Sequence, residues 1–99
     1  MKTLTEIKSI LSQYKPVLQK QYKVSELGVF GSYVRGEQTE SSDVDVLVEF
    51  NPNFQFGLLT FCELESYLSE KIGLKVDLVM KDGLKPKIGQ QILKEVIYI

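Results

Sequence analysis

The sequence contains no histidine and only one cysteine among its 99 residues. The lack of histidine excludes Ser-His-Asp and Cys-His nucleophilic catalysis, histidine-rich zinc sites and an imidazole proton shuttle. The lone Cys62 cannot form an intramolecular disulfide or a thiolate metal cluster, and we expect it to be a small apolar core residue in a reducing compartment. If the protein is an enzyme, its carboxylates must do the chemistry.

Neither sign of charge predominates, and long apolar runs are missing. Twelve basic and thirteen acidic residues give a net charge of -1, so we expect no direct binding to nucleic acid. The first twenty residues are interrupted by Glu6, Lys8 and Lys15, unlike a signal peptide, and no stretch approaches transmembrane length. We therefore expect a cytoplasmic protein without membrane contact.

The length of the chain predicts a single domain over residues 1–99. A chain this short buries only a little over ~60% of the surface that its unfolded form exposes. A partner surface would therefore help its stability.

Apolar periodicity predicts six elements in the order helix, strand, strand, helix, strand, helix. They cover residues 4–18, 24–30, 43–50, 58–72, 75–80 and 86–97. We expect Pro16 to bend or interrupt the first helix, Leu58, Leu59 and Cys62 to join the apolar face of the second, and the last helix to include Val96 and Ile97. The fold class is α/β (α+β), a small mixed β-sheet flanked by helices.

Strict alternation from residue 43 to residue 50 predicts a strand with one buried face. Asp43 and Asp45 project side by side from the other face, together with Leu47, and carboxylates this close repel each other unless a cation or proton lies between them. Hard oxygen ligands suit Mg²⁺ or Mn²⁺. Asp77 in the next strand can join the same face, although each of the three aspartates is also compatible with a solvent-facing strand residue.

Gly31 and Ser32 follow a predicted strand, where backbone N–H groups and a hydroxyl can hold phosphate oxygens; an ordinary tight turn is the alternative. Arg35, the single arginine, can reach a phosphate or pair with Glu37 or Glu40. Carboxylates beside a phosphate cradle are what metal-assisted nucleotidyl transfer requires.

Together these residues resemble a known family. Gly31-Ser32, ten residues, then Asp43-x-Asp45 resembles the signature of the DNA polymerase β nucleotidyltransferase superfamily. The string GSYVRGEQTESSDVDVLVEF resembles its minimal nucleotidyltransferase (MNT) branch, and so do KVDLVM and LKPKIGQQILKEVIYI. The resemblance therefore covers nearly the whole chain.

The resemblance implies the nucleotidyltransferase fold, ATP or another nucleoside triphosphate as donor, and two Mg²⁺ ions. Asp43 and Asp45 would bind both metals, and Asp77 would be the third ligand and the base. Gly31 and Ser32 would hold the β- and γ-phosphates.

The resemblance also implies a partner, because MNT proteins are commonly antitoxins paired with a HEPN-domain ribonuclease toxin. Some of them transfer AMP to a tyrosine hydroxyl of that toxin. We expect an Mg²⁺-dependent adenylyltransferase antitoxin of this kind. The alternatives are a non-catalytic module that neutralises its partner by complex formation and, less in keeping with so short a chain, a small-molecule nucleotidyltransferase.

Two aromatic features allow a functional and a packing interpretation. Phe54, Phe56 and Phe61 can form an exposed apolar patch for a partner or pack in the core. Tyr33 can stack on a nucleotide base or pack internally.

Overall fold

The computed structural model describes residues 2–54 and 57–99. The elements are α1 (Leu4–Gln21), β1 (Val24–Phe30), α2 (Ser32–Arg35), β2 (Val44–Phe50), α3 (Leu58–Ile72), β3 (Val76–Met80), a 3₁₀ turn (Lys81–Gly83), α4 (Pro86–Glu95) and β4 (Ile97–Tyr98). The six predicted elements are all present. An interruption of α1 at Pro16 is wrong, since the helix runs through this residue to Gln21.

The four strands form one mixed sheet in the order β3-β2-β1-β4. β1 pairs antiparallel with β2 and β4, whereas β2 and β3 are parallel. The predicted fold class, a small mixed sheet flanked by helices, is confirmed. The end of β1 lies beside the beginnings of β2 and β3. Phe30 is therefore close to Asp45, and Asp45 is close to Asp77.

The main core lies between one face of the sheet and helices α1 and α3. Its members are aliphatic side chains that are almost fully buried, and burying each contributes about 1.5–3 kcal/mol. They include Ile7, Leu11 and Leu18 of α1, Leu64, Leu68 and Ile72 of α3, and Val29, Val44, Val46 and Val48 of the strands. Tyr33 is buried in this cluster, and Phe54 and Phe61 pack against it, so packing accounts for all three aromatics. Phe56 lies outside the described residues.

The opposite face of the sheet is also partly covered, by α4. Phe30, Leu47 and Ile92 form a second buried cluster there. Leu47 is only 2% exposed, so the prediction that β2 has one buried face is wrong. The alternation of β2 identified its two faces correctly, but the covering helix comes from a distant part of the sequence.

The last helix ends earlier than predicted. α4 stops at Glu95, and the backbone of Val96 is extended (φ −60°, ψ 136°). Ile97 pairs with Val29 of β1 as part of β4. β-branched residues fit a pleated sheet better than a helix, and the open edge of β1 offers the pairing that α4 lacks.

The first turn of α3 does not face the core as predicted. Leu58 and Leu59 are 78% and 73% exposed, and Cys62 is exposed rather than a core residue. The inward stripe of α3 consists of Leu64, Leu68 and Ile72, spaced by four residues. At 100° per residue, Leu59 and Cys62 fall on the side of the helix away from that stripe.

Helix α3 also fixes the edge strand β3. The Ser69 hydroxyl accepts a hydrogen bond from the Val76 N–H, and the Glu65 carboxylate accepts one from the Leu78 N–H, both at 3.0 Å. These N–H groups lie on either side of Asp77 and point away from β2. Pairing them with side chains satisfies the sheet edge and fixes the position of Asp77.

In the part of the chain that the structure describes, no helix has the length and apolar character needed to cross a bilayer.

Gly28 keeps the C-terminal strand in place, because a Cβ at this position would lie 2.6 Å from Val96 Cγ2 and 3.1 Å from the Ile97 carbonyl oxygen. We expect Gly28→Ala to push β4 away and lower the free energy of unfolding by about 1–3 kcal/mol, as overpacking does. Urea denaturation would measure this. Gly83→Ala is the matched control, since its Cβ would meet no atom within 4 Å. Equal effects of the two changes would contradict the prediction.

Candidate active site

The ends of three strands bring the predicted acidic residues together. Phe30, the last residue of β1, pairs with Asp45 of β2, and Asp45 is in register with Asp77 of β3. Neighbouring strands lie about 4.8 Å apart, so Asp45 and Asp77 project side by side from the same face. Asp43 lies two residues before Asp45, and the bond from the Val44 N–H to the Lys75 carbonyl (2.9 Å) holds this end of β2 against β3.

Asp45 is the least solvated of the three aspartates. Burial, together with the negative charges of Asp77 and Asp43, raises the pKa of Asp45 from its ordinary value to about 6. The Arg35 charge opposes this pKa shift, and the negative charge of Glu95 adds to it. A carboxylate under this repulsion is suited to accept a cation.

The other two aspartates are more accessible. The Asp43 side chain is 41% exposed, and its Oδ2 lies 4.0 Å from the Nζ of Lys75, which is 80% exposed. An exposed pair at this distance contributes little, so Lys75 does not neutralise the site. Asp77 is exposed at the surface of β3.

Gly31 packs directly on the Asp45 carboxylate. A Cβ at position 31 would overlap Oδ2 of Asp45. Gly31 also has φ +83° and ψ −152°, a backbone conformation essentially restricted to glycine. The turn therefore requires glycine for two independent reasons, and both arise from bringing the backbone against Asp45.

The turn continues into the short helix α2, which starts at Ser32 and ends at Arg35, with Gly36 as its C-cap. The Gly31 carbonyl accepts hydrogen bonds from Val34 N–H (3.0 Å) and Arg35 N–H (3.2 Å). This geometry keeps Ser32 beside Gly31 and directs Arg35 toward the same region.

Arg35 pairs with two carboxylates. Its Nε donates a hydrogen bond to Oε1 of Glu37 at 3.0 Å, as the pairing alternative predicts, and its second carboxylate partner is Glu95 rather than Glu40. Its Nη1 donates to both carboxylate oxygens of Glu95 at 3.0 Å. Glu95 Oε1 also accepts the Gly31 N–H at 3.1 Å. The hydrogen bonds to Glu95 and then to Glu37 raise the pKa of Arg35.

Glu95 is a site residue that local sequence patterns do not identify. It lies 64 residues from Gly31, so no local pattern connects the two. One signal was available: Glu95 is the last residue of a helix, where the helix dipole disfavours negative charge. An acid at such a position is often compensated by a cation elsewhere in the fold.

Asp43, Asp45 and Asp77 supply the donor chemistry that Mg²⁺ prefers, carboxylate oxygens without nitrogen or sulfur. Among the described residues, no three acidic or cysteine side chains are already arranged as a metal cage. The donor chemistry, three carboxylates with the charges of Asp77 and Asp43 acting on Asp45, nevertheless fits a divalent cation.

Solved structures share this fold. A protein provisionally assigned as a minimal nucleotidyltransferase matches with a TM-score of 0.72 and 33% identity, covering 92% of this chain and 93% of that chain. A toxin–antitoxin structure with AMP-PNP matches with a TM-score of 0.67 and 24% identity, covering 95% and 69%. The tri-AMPylated Shewanella oneidensis HEPN toxin in complex with an MNT antitoxin matches with a TM-score of 0.67 and 19% identity, covering 93% and 70%. The last two likenesses, below 25% identity, concern the fold.

Sequence comparison gives the same assignment. The chain is 54% identical over 101 residues to the protein adenylyltransferase MntA of Thermococcus cleftensis, covering 100% of this chain and 98% of the relative. The model of the nucleotidyltransferase domain matches residues 11–99. The strand-edge carboxylates and the glycine turn thus lie in a chain that belongs to the nucleotidyltransferase domain family.

Proposed function

We propose that this nucleotidyltransferase is an antitoxin that transfers AMP from ATP to a tyrosine hydroxyl of a HEPN ribonuclease toxin, with Mg²⁺. The observation that carries the proposal is the register of Asp45 with Asp77 beside the Gly31 turn. The relative's name, protein adenylyltransferase, supports the reaction. The similar structures of toxin–antitoxin complexes support the partner.

Asp43, Asp45 and Asp77 would hold the divalent cations, two in number by the family resemblance. When bound, Mg²⁺ neutralises the triphosphate and polarises the α-phosphorus toward attack. The protein contributes a half-buried site in which Asp45 already experiences the charges of its neighbours. Cation binding would relieve that repulsion.

The nucleotide's phosphates would be held by Gly31, Ser32 and Arg35. Gly31 allows close approach because it carries no side chain, and its N–H already donates to an anionic oxygen. Ser32 adds a hydroxyl, and Arg35 adds a guanidinium that can form two bonds to one phosphate. These groups position the α-phosphorus near the carboxylates.

In the transfer step, the acceptor hydroxyl oxygen forms a bond to the α-phosphorus of ATP. The bond from that phosphorus to the β-phosphate oxygen breaks, and pyrophosphate leaves. Asp77, the most accessible carboxylate on the adjoining strand, takes the hydroxyl proton. The product is an AMP ester of the acceptor.

The acceptor comes from a partner in this proposal. Cavities of about 410 and 270 Å³ lie elsewhere in the described part of the chain. Their linings, Tyr22, Cys62, Glu63, Ser66, Tyr67 and Glu70 for one and Lys23, Asn51, Asn53 and Phe54 for the other, include none of the three aspartates. Asp77 is exposed and the Asp43 side chain is 41% exposed, so an acceptor on a partner protein could approach them from solvent.

Asp45→Asn should lower AMP transfer by about 100-fold or more, because it removes a charged ligand at the site where the reacting phosphate is stabilised. The assay uses ATP labelled at the α-phosphate, Mg²⁺ and the HEPN-type protein encoded by the neighbouring gene. Glu49→Gln is the matched control, since Glu49 lies on the same strand at its opposite end, opposite Glu26. It should retain transfer within about twofold.

Two outcomes would contradict the catalytic proposal. One is no transfer of label by the unaltered protein in the presence of its partner. The other is equal transfer by the Asp45→Asn and Glu49→Gln variants. If Asp45→Asn abolishes transfer but cells remain protected from the toxin, neutralisation proceeds by complex formation, which is the non-catalytic alternative.

Gly31→Ala should abolish nucleotide transfer, because the new Cβ would overlap the Asp45 carboxylate. Gly36→Ala is its matched control. Gly36 also has positive φ, +72°, but its Cβ would meet no atom within 4 Å. Gly36→Ala should lose about 1–2 kcal/mol of stability from its left-handed backbone, and Gly31→Ala should lose more, because its backbone conformation is essentially restricted to glycine and its Cβ overlaps Asp45. Urea denaturation would measure both losses. Comparable activity of the two variants would show that the overlap with Asp45 is unimportant.

Asp45 also predicts a pH dependence of stability in metal-free buffer. Its pKa is about 6 in the folded protein, against ~3.9 in an unfolded chain, so the folded state binds the proton more tightly. The stabilisation is fully present below about pH 4 and is lost as the pH rises through about 6. The free energy of unfolding, measured in urea, should therefore fall over this range relative to Asp45→Asn. A constant difference between the two proteins would contradict the assignment.

A further inference from the structure

Glu95 lies where the proposed function places a phosphate. Its side chain is 19% exposed, and its two oxygens lie 3.0 Å from Arg35 Nη1. One of those oxygens also accepts the Gly31 N–H at 3.1 Å. A carboxylate oxygen that receives a backbone N–H and a guanidinium has the same donors that a phosphate oxygen would have.

Two features of the surroundings oppose a carboxylate at this place. Glu95 ends α4, so its charge is close to the negative end of the helix dipole. It also lies near enough to Asp45 for its negative charge to raise the pKa of Asp45. Arg35 and the Gly31 N–H are therefore what hold Glu95 in position.

The Gly31 N–H and the Arg35 guanidinium cannot fully hydrogen-bond to both Glu95 and a nucleotide. A triphosphate that reaches Gly31 and Arg35 meets the negative charge of Glu95. The repulsion between them favours movement of the Glu95 carboxylate away from these donors. We propose that Glu95 is an internal occupant of the phosphate position, which the nucleotide displaces on binding. This inference rests on the proposed function, because it requires that nucleotide binds at the Gly31 turn.

The exchange needs only a side-chain rotation. The backbone at Glu95 is fixed on both sides, by α4 before it and by the pairing of Ile97 with Val29 after it. The Val96 N–H remains bonded to the Ile92 carbonyl at 2.9 Å. The carboxylate can therefore turn toward solvent without a change of fold.

Titration calorimetry with ATP and with inorganic tripolyphosphate would test the proposal on the full chain. Glu95→Gln keeps the side-chain shape and removes the charge, so it should bind both ligands about three- to tenfold more tightly. Glu37→Gln is the matched control. Glu37 pairs with the same guanidinium at 3.0 Å and is 59% exposed, but it has no contact with Gly31. This variant should change either affinity by less than about twofold.

The possible results separate this inference from the proposed function. If the unaltered protein binds ATP but Glu95→Gln binds it equally or more weakly, Glu95 is not displaced and only this inference fails. Equal tightening by both variants would also overturn it, since a general charge effect would then suffice. If neither the unaltered protein nor Glu95→Gln binds ATP or tripolyphosphate, both the inference and the proposed nucleotide site fail.

A measurement on the unaltered protein avoids any effect of substitution on folding. The amide signal of Gly31 in an NMR spectrum reports the acceptor of its N–H. Saturating tripolyphosphate should shift this signal, because a phosphate oxygen replaces Glu95 Oε1. An unchanged Gly31 signal at saturation would overturn the inference.

Discussion

Repulsion between carboxylates at one end of the sheet is the constraint on which the rest of the site depends. Asp45 is half-buried and experiences the negative charges of Asp77, Asp43 and Glu95, while Arg35 alone among these neighbours opposes them. Such an arrangement costs free energy in the isolated chain. In the proposed function, a divalent cation would relieve this repulsion, so the repulsion would favour its binding.

The sheet makes this repulsion unavoidable. Asp45 and Asp77 are in register because β2 and β3 are parallel, and β3 cannot slip while Ser69 and Glu65 of α3 accept its outward N–H groups. Those acceptors belong to a helix that is anchored in the core by Leu64 and its neighbours. The core therefore fixes β3 through the two hydrogen bonds from its N–H groups to α3. As a result, Asp77 stays close enough to Asp45 for the two carboxylates to repel each other.

Local patterns in the sequence predicted the parts of this arrangement that repeat with a short period. Alternation placed Asp43 and Asp45 on one face of a strand, and the predicted positions of β1, β2 and β3 agree with the structure to within one residue. Contacts between distant segments decide the structure at two other places. Ile97 joins the sheet because β1 has an open edge, and Leu47 is buried because α4 crosses the other face. Glu95 was missed for the same reason, since its partners are contacts between distant segments.

Arg35 connects the phosphate position with the cation position. It is the only arginine of the chain. It forms ion pairs with Glu37 and Glu95, and its positive charge lowers the pKa of Asp45. When a nucleotide takes the guanidinium, Glu95 loses its counter-charge and Asp45 loses part of its own. The phosphates would then add negative charge beside Asp45, and a divalent cation would be bound more strongly. In the proposed function, nucleotide and metal binding would therefore be coupled through a single guanidinium.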